Sequence, residues 1–319
     1  MKRAFINKKF SSDSLEVIGI AAAIFIEYNR QGYTLTLRQL YYQFVSRSLI
    51  PKKWHDKATG SPNNLRAYKN LGNLINDARL AGLLDWDFMV DRTRELDTVS
   101  FWDSPEQIVE AVAQQFNIDK WATQKYRPEV WVEKEALKGI IEKACEPYDV
   151  PHLSCRGYTS QSSTWEAYKR MAGYIRGGQI PYIIHLGDHD PSGMDMSRDI
   201  EDRLRLMLSV HGDRDKLQFK RIALNMDQVN EYQPPPDYAK FTDSRAVAYS
   251  SQYGNETWEL DALEPKVLDD LISAAIEEIT DPSAWSDSVD EQERGKDDLE
   301  EAVVFISKLH DNEEGDEIA

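Results

Sequence analysis

The chain has 319 residues, of which 41% are hydrophobic, with 15 tyrosines and 8 tryptophans, which excludes an intrinsically disordered chain and is ample for two domains with cores. The formal charge of −17 excludes a uniformly basic nucleic-acid binder but not a polarised one. Residues 1–84 carry thirteen Lys/Arg against five Asp/Glu, a net of +8, whereas residues 281–319 carry three against fourteen, a net of −11. In chain order, Ser11 or Ser12 caps a predicted helix that runs to about Arg30 and is closed by Gly32. Its apolar stretch 17–26 follows Asp13 and Glu16 and is too short to span a bilayer, so it reads as a buried first helix and not a signal peptide. Thr36 opens a second helix that ends near Ser48. A basic loop with Lys52 and Lys53 precedes a third helix over 63–79, with Leu65, Tyr68, Leu71, Leu74 and Ile75 on one stripe and Arg66, Lys69 and Arg79 on the other. Residues 84–90 alternate like a strand.

Three helices followed by a hairpin-like wing predict a winged helix-turn-helix in which residues 63–81 form the recognition helix. Lys52, Lys53, Arg66, Lys69 and Arg79 are the candidate contacts to DNA phosphates, in keeping with the +8 region. Ser104 caps a linking helix to about Phe116. Beyond Pro128, strands near 129–133, 151–155, 181–187 and 217–224 alternate with helices near 135–145, 161–177 and 193–209. That rhythm predicts a mainly parallel sheet with its ligands at the carboxyl ends of the strands. Pro234, Pro235 and Pro236 mark a loop, and residues 281–319 read as an acidic tail with one short helix at 299–309 and disorder from Asp311. Cys145 and Cys155 have neither metal-ligand spacing nor a disulfide framework, which predicts a reducing, cytoplasmic setting.

The chemistry concentrates in two carboxylate elements. Glu133 ends the apolar run Val130-Trp131-Val132, and Asp188 and Asp190 leave the run 181–186 on the same side of an extended backbone. An isolated D-x-D is commonly a solvated cap. A strand-end glutamate and a strand-end D-x-D-P-x-G at domain-scale spacing instead predict a shared divalent cation, and Mg²⁺ suits hard oxygen donors facing phosphate. Upstream, Arg38 and Tyr42 are i,i+4 neighbours on the second helix. A phenol is protonated at neutral pH, so a nucleophilic Tyr42 requires a proton acceptor or cations that stabilise the phenolate. Arg38 can hold a phosphate beside it.

This arrangement resembles the Toprim domain of topoisomerases, bacterial primases and OLD-family nucleases. The D-x-D-P-x-G form with Pro191 and Gly193, and the segment 157–160, are most similar to the topoisomerase VI A subunit and its meiotic relatives. The string Thr36-Leu37-Arg38-Gln39-Leu40-Tyr41-Tyr42 resembles that family's tyrosine motif, departing from it at Gln39, where the family carries an acid. Residues 258–265 also resemble the later part of that Toprim region, so the resemblance covers about residues 10–275. It implies a fold of α/β plus mainly α type: a winged-helix domain at 1–100, a helical linker at 101–127, a Toprim domain at 128–280 and an acidic tail at 281–319. It implies double-strand DNA cleavage by Tyr42 through a 5′-phosphotyrosyl link. Mg²⁺, replaceable by Mn²⁺, would be held by Glu133, Asp188 and Asp190. It further implies a homodimer that shares each site between protomers, and a separate ATPase B-like subunit wherever strands are passed. Compact stand-alone forms of this kind belong to phages and mobile elements, which extends the cytoplasmic expectation to a prokaryotic or phage-infected cell. A metal-dependent Toprim nuclease that activates water, and a non-enzymatic DNA-binding regulator, are the competing readings.

Overall fold

The computed structural model describes residues 1–89, 101–238 and 246–316. Helix α1 (Ser12–Arg30) begins where the Ser11 hydroxyl accepts the Ser14 amide. Helix α2 (Leu37–Ser46) opens with a reciprocal box: Gln39 N–H donates to Thr36 Oγ1 at 3.3 Å, and Thr36 N–H donates to Gln39 Oε1 at 2.8 Å. A glutamine serves this box as an acid would, which gives the departure at Gln39 a structural role. Asn64 caps α3 (Leu65–Leu80) through the Ala67 amide. The three helices pack on one another around Phe25, Tyr28, Leu40, Phe44, Leu71 and Ile75, all buried. Each such side chain stabilises the fold by about 1.5–3 kcal/mol. Gly72 permits the close approach of α2 and α3, because a Cβ there would lie 2.8 Å from Leu37 Cδ2.

The expected strand over 84–90 is not formed across its described residues. Residues 84–88 turn, and Met89 makes an isolated bridge to Leu35. Trp86 explains the departure: its ring lies 4.4 Å from the Arg79 guanidinium, and Arg79 Nη2 donates to the Trp86 carbonyl, so the segment folds back on α3. The remainder of the expected wing lies outside the described residues.

After α4 (Pro105–Gln115) comes a four-stranded parallel sheet of β1 (Tyr126–Val132), β2 (His152–Ser154), β3 (Ile180–Leu186) and β4 (Gln218–Ala223), in the order β2-β1-β3-β4. Side chains alternate across it. Val130, Val132, Ile184 and Leu186 join the core beneath α5 (Lys138–Cys145) and α10 (Pro265–Glu277), while Trp131 and Ile183 join α6 (Gln161–Arg176) and α7 (Pro191–Ser209) on the other face. The chain is therefore mixed α/β, with the predicted strands and helices in place to within a few residues. Helix α8 (Met226–Tyr232) leads through the prolines to a short antiparallel pair, β5 (Asp237–Tyr238) and β6 (Glu256–Thr257), with α9 (Ala246–Tyr253) ahead of β6.

The acidic terminus differs from expectation. One helix, α11 (Pro282–Asp316), replaces the short helix and includes Asp311–Asp316, expected to be disordered. It is anchored through tertiary contacts: Trp285 meets Trp121 edge-on at 5.5 Å, Gln292 accepts the Ile118 amide, and Gly295 lies against Phe116 beyond α4. Among the described residues, no helix is long and apolar enough to cross a membrane.

Candidate active site

Both acidic motifs lie at the carboxyl ends of the two central strands, β1 and β3, where a parallel sheet of this order opens a crevice. Glu133 follows β1 directly, and its Oε2 accepts the Asp188 amide at 3.0 Å. Asp188 leaves β3, and its Oδ1 accepts the Leu260 amide at 2.7 Å. Asp190 is the N-cap of α7, its Oδ1 accepting the Gly193 amide at 2.6 Å. Two devices hold this loop. A Cβ on Gly193 would lie 2.3 Å from the Asp188 carbonyl oxygen, so only glycine fits. Half-buried Arg221, on β4, donates to the Gly187 and Asp188 carbonyls at 2.9 and 2.7 Å. Between the two aspartates, the His189 ring is seated among Tyr249, Tyr253 and Trp258 and contacts the Tyr249 hydroxyl at 2.6 Å.

Burial raises Glu133 to about 7, with repulsion from Asp188 adding to it. Burial likewise raises Asp188 to about 6 against the pull of Lys134. Partly dehydrated carboxylates that repel one another are the donor chemistry a hard divalent cation relieves. Among the described residues, however, no three carboxylate, imidazole or thiol side chains stand together as a formed metal cage. Asp190 directs one oxygen to capping α7, and the Lys134 ammonium already lies 2.9 Å from Asp188, 3.0 Å from Glu259 and 2.8 Å from Asp261.

Tyr42 is buried on α2, and Arg38 Nη2 donates to its hydroxyl at 3.2 Å from one turn earlier. The same guanidinium grips Glu259 at 2.7 and 2.5 Å and lies 3.3 Å from Asp261. Burial, then the charges of Asp261 and Glu259 and a hydrogen bond to Glu259, raise the phenol well above its ordinary range. Burial alone would also raise Glu259, but Lys134, the Tyr42 hydroxyl and Arg38 outweigh it and hold the carboxyl down at about 2.

Arg38 and Glu259 line two adjoining pockets. One, of about 430 Å³, contains Glu133, Lys134, Arg156, Asp188 and Asp261; the other, of about 400 Å³, contains Tyr41, Tyr42, Asn63, Leu65, Tyr68 and Asp237. The tyrosine and carboxylate sides thus adjoin within one chain, whereas the resemblance implies a site shared between protomers.

Of the expected phosphate contacts, Arg66 and Lys69 are exposed on α3 beside the pocket residues Leu65 and Tyr68. Lys52 and Lys53 are exposed on a 3-10 turn, with Lys53 paired to Asp13 at 2.7 Å. Arg79 is engaged with Trp86 and the Met89 carbonyl. Sequence reasoning singled out neither Lys134, Glu259, Asp261 nor Arg221. The available signals were the position of Lys134 next to Glu133 and the second alternating acid pair after Trp258. No family model and no curated protein matches the chain.

Proposed function

We propose that the chain cleaves DNA by transesterification, with Tyr42 as the nucleophile. In this reading α1–α3 act as a winged-helix module and the parallel sheet as a Toprim domain. The observation that carries it is that a single arginine, Arg38, bonds both the Tyr42 hydroxyl and Glu259 and lines both adjoining pockets, one of which also contains Glu133 and Asp188. Arg38 is placed to take a phosphate oxygen beside the phenol in exchange for part of its bond to Glu259. The exposed Arg66 and Lys69 continue positive charge away from the pocket along α3, where a duplex backbone would lie. Glu133 and Asp188, with Asp190 at the next strand-loop position, would hold Mg²⁺ or Mn²⁺, which supplies charge stabilisation for the phosphoryl group and the departing 3′ oxygen. Two copies related by a twofold axis would present two tyrosines to antiparallel strands and give a double-strand break. Strand passage would require a separate ATPase subunit.

Trapping tests this reading. Supercoiled DNA incubated with the protein and Mg²⁺, then quenched with denaturant, should yield DNA covalently attached to protein. Tyr42→Phe should give none while binding DNA normally, and Tyr41→Phe should retain the adduct, since Tyr41 serves to staple the 62–64 loop to α2. Cut DNA without an adduct would establish hydrolysis by water in place of the tyrosine mechanism.

A further inference from the structure

We infer that Glu259 is the proton acceptor for Tyr42, held in place by Arg38 on one side and Lys134 on the other. The inference rests on the tyrosine reading above and extends it to a residue in a different element, 217 positions away by subtraction of the two residue numbers. A phenol cannot attack phosphorus until its proton has somewhere to go, and with Tyr42 only 4% exposed a neighbouring side chain is better placed than bulk water to take it. The Tyr42 hydroxyl lies 3.2 Å from Arg38 Nη2, the same atom that holds Glu259, and Glu259 lines the pocket that Tyr42 lines. Its two oxygens are fixed by Arg38 at 2.7 and 2.5 Å, and one of them also accepts from Lys134 at 3.0 Å. The nucleophile, its base and the groups that orient the base therefore form one connected set.

The backbone reinforces this placement. Glu259 lies between the His189–Trp258 bridge and Leu260, whose amide is bonded to Asp188, so its segment is pinned to the D-x-D loop on both sides. The 3-10 turn that follows, Leu260–Ala262, packs on α2 itself, and Ala262 belongs to the N-terminal core. Glu259 is thus carried to Tyr42 by rigid elements and not by a free loop.

The step balances without any co-reactant. The Tyr42 O–H bond breaks and its proton passes to a Glu259 oxygen, while the phenolic oxygen forms a bond to phosphorus. The bond from phosphorus to the 3′ oxygen breaks, that oxygen takes a proton from water, and Glu259 later returns its proton to water. One phosphoester replaces another. The arriving phosphate also supplies the trigger: as Arg38 turns toward it, Glu259 loses a cation that had weakened it as a base.

The test is single-turnover adduct formation on supercoiled DNA with Mg²⁺, using full-length chains. Glu259→Gln keeps the shape and removes the acceptor; adduct formation should slow ~10²–10⁴-fold although DNA affinity does not fall. Replacing Tyr42 by a fluorinated tyrosine, whose phenol is more acidic, should shrink that defect at least ~10-fold, because an acidic phenol depends less on its base. If Glu259→Gln does not fold, Glu259→Asp takes its place, with slowed cleavage partly restored by the same fluorination. A wild-type rate in the substituted chain overturns the assignment. A defect indifferent to fluorination also overturns it and leaves Glu259 as a positioning residue only. If the wild-type chain forms no adduct, the tyrosine function itself is wrong and this assignment falls with it.

Discussion

At the scale of single residues, His185 shows how burial can set acid sensitivity behind the site. Its ring is wholly buried on β3, stacked 5.5 Å from Phe219, with Nδ1 3.2 Å from the Ser197 hydroxyl. Burial, then the nearby Arg221 charge, lower its pKa to about 3. The folded imidazole therefore stays neutral while the unfolded chain takes up a proton below about 6.5, so stability held above that pH is lost as the pH falls toward 3. Between pH 6.5 and pH 4, urea unfolding should show the wild type losing ~3 kcal/mol more than His185→Phe. Equal losses would mean that this ring titrates normally. Glu133, Asp188 and Asp190 stand out in the sequence because each follows an apolar, strand-like run, whereas Tyr42 stands out only through the motif it resembles, since its helical period alone reads as core packing. Glu259 and Asp261 do not stand out, because their role arises from contacts to Arg38 and Lys134 across more than a hundred residues of chain. No local pattern encodes such a contact.

At the scale of elements, α3 carries basic residues with two different tasks. Arg66 and Lys69 are exposed, whereas Arg79 closes the turn over 84–89 with its stacked guanidinium and two carbonyl bonds. The double variant Arg66→Ala/Lys69→Ala should weaken DNA binding across sequences and flatten the log–log salt slope by ~1.8, about 0.9 per phosphate contact. Arg79→Ala should instead lower the melting temperature with a near-native salt slope, as measured by fluorescence anisotropy at several salt concentrations. A helical period alone places all three on the polar stripe and cannot show that one folds back onto a tryptophan. The same shortfall explains α11. Trp285 and Gln292 anchor it against distant partners, while the surrounding acids conceal the helix from a reading by composition. The parallel sheet was legible because short apolar runs, such as residues 130–132 and 182–184, alternate with helical stretches along the chain.

At the scale of the whole molecule, the adjoining pockets predict complete sites within each chain. Mixing inactive Tyr42→Phe with inactive Glu133→Ala should therefore restore no cleavage, even after subunit exchange has been confirmed. Recovery of nicking would show instead that the tyrosine of one copy works with the carboxylates of its partner. In either case two copies are needed for a double-strand break, so the rate of linearisation should rise more steeply with protein concentration than the rate of nicking.

Arg38, Glu259, Lys134 and Asp188 form a line of alternating charge, with successive separations of 2.5, 3.0 and 2.9 Å. Under the proposed function, such a line would couple the binding of DNA to the binding of the cation. An anion that draws Arg38 away leaves Glu259 to hold Lys134 more tightly, which frees Asp188 for a cation at the far end. Linkage then requires reciprocity: DNA must raise the affinity for Mn²⁺ by the same factor by which Mn²⁺ raises the affinity for DNA. With a typical coupling of 1–3 kcal/mol, that factor is about 5–150. Paired titrations on Tyr42→Phe, which cannot cleave, should return two equal factors. Both should fall to unity in Lys134→Met, where the line is cut at its centre.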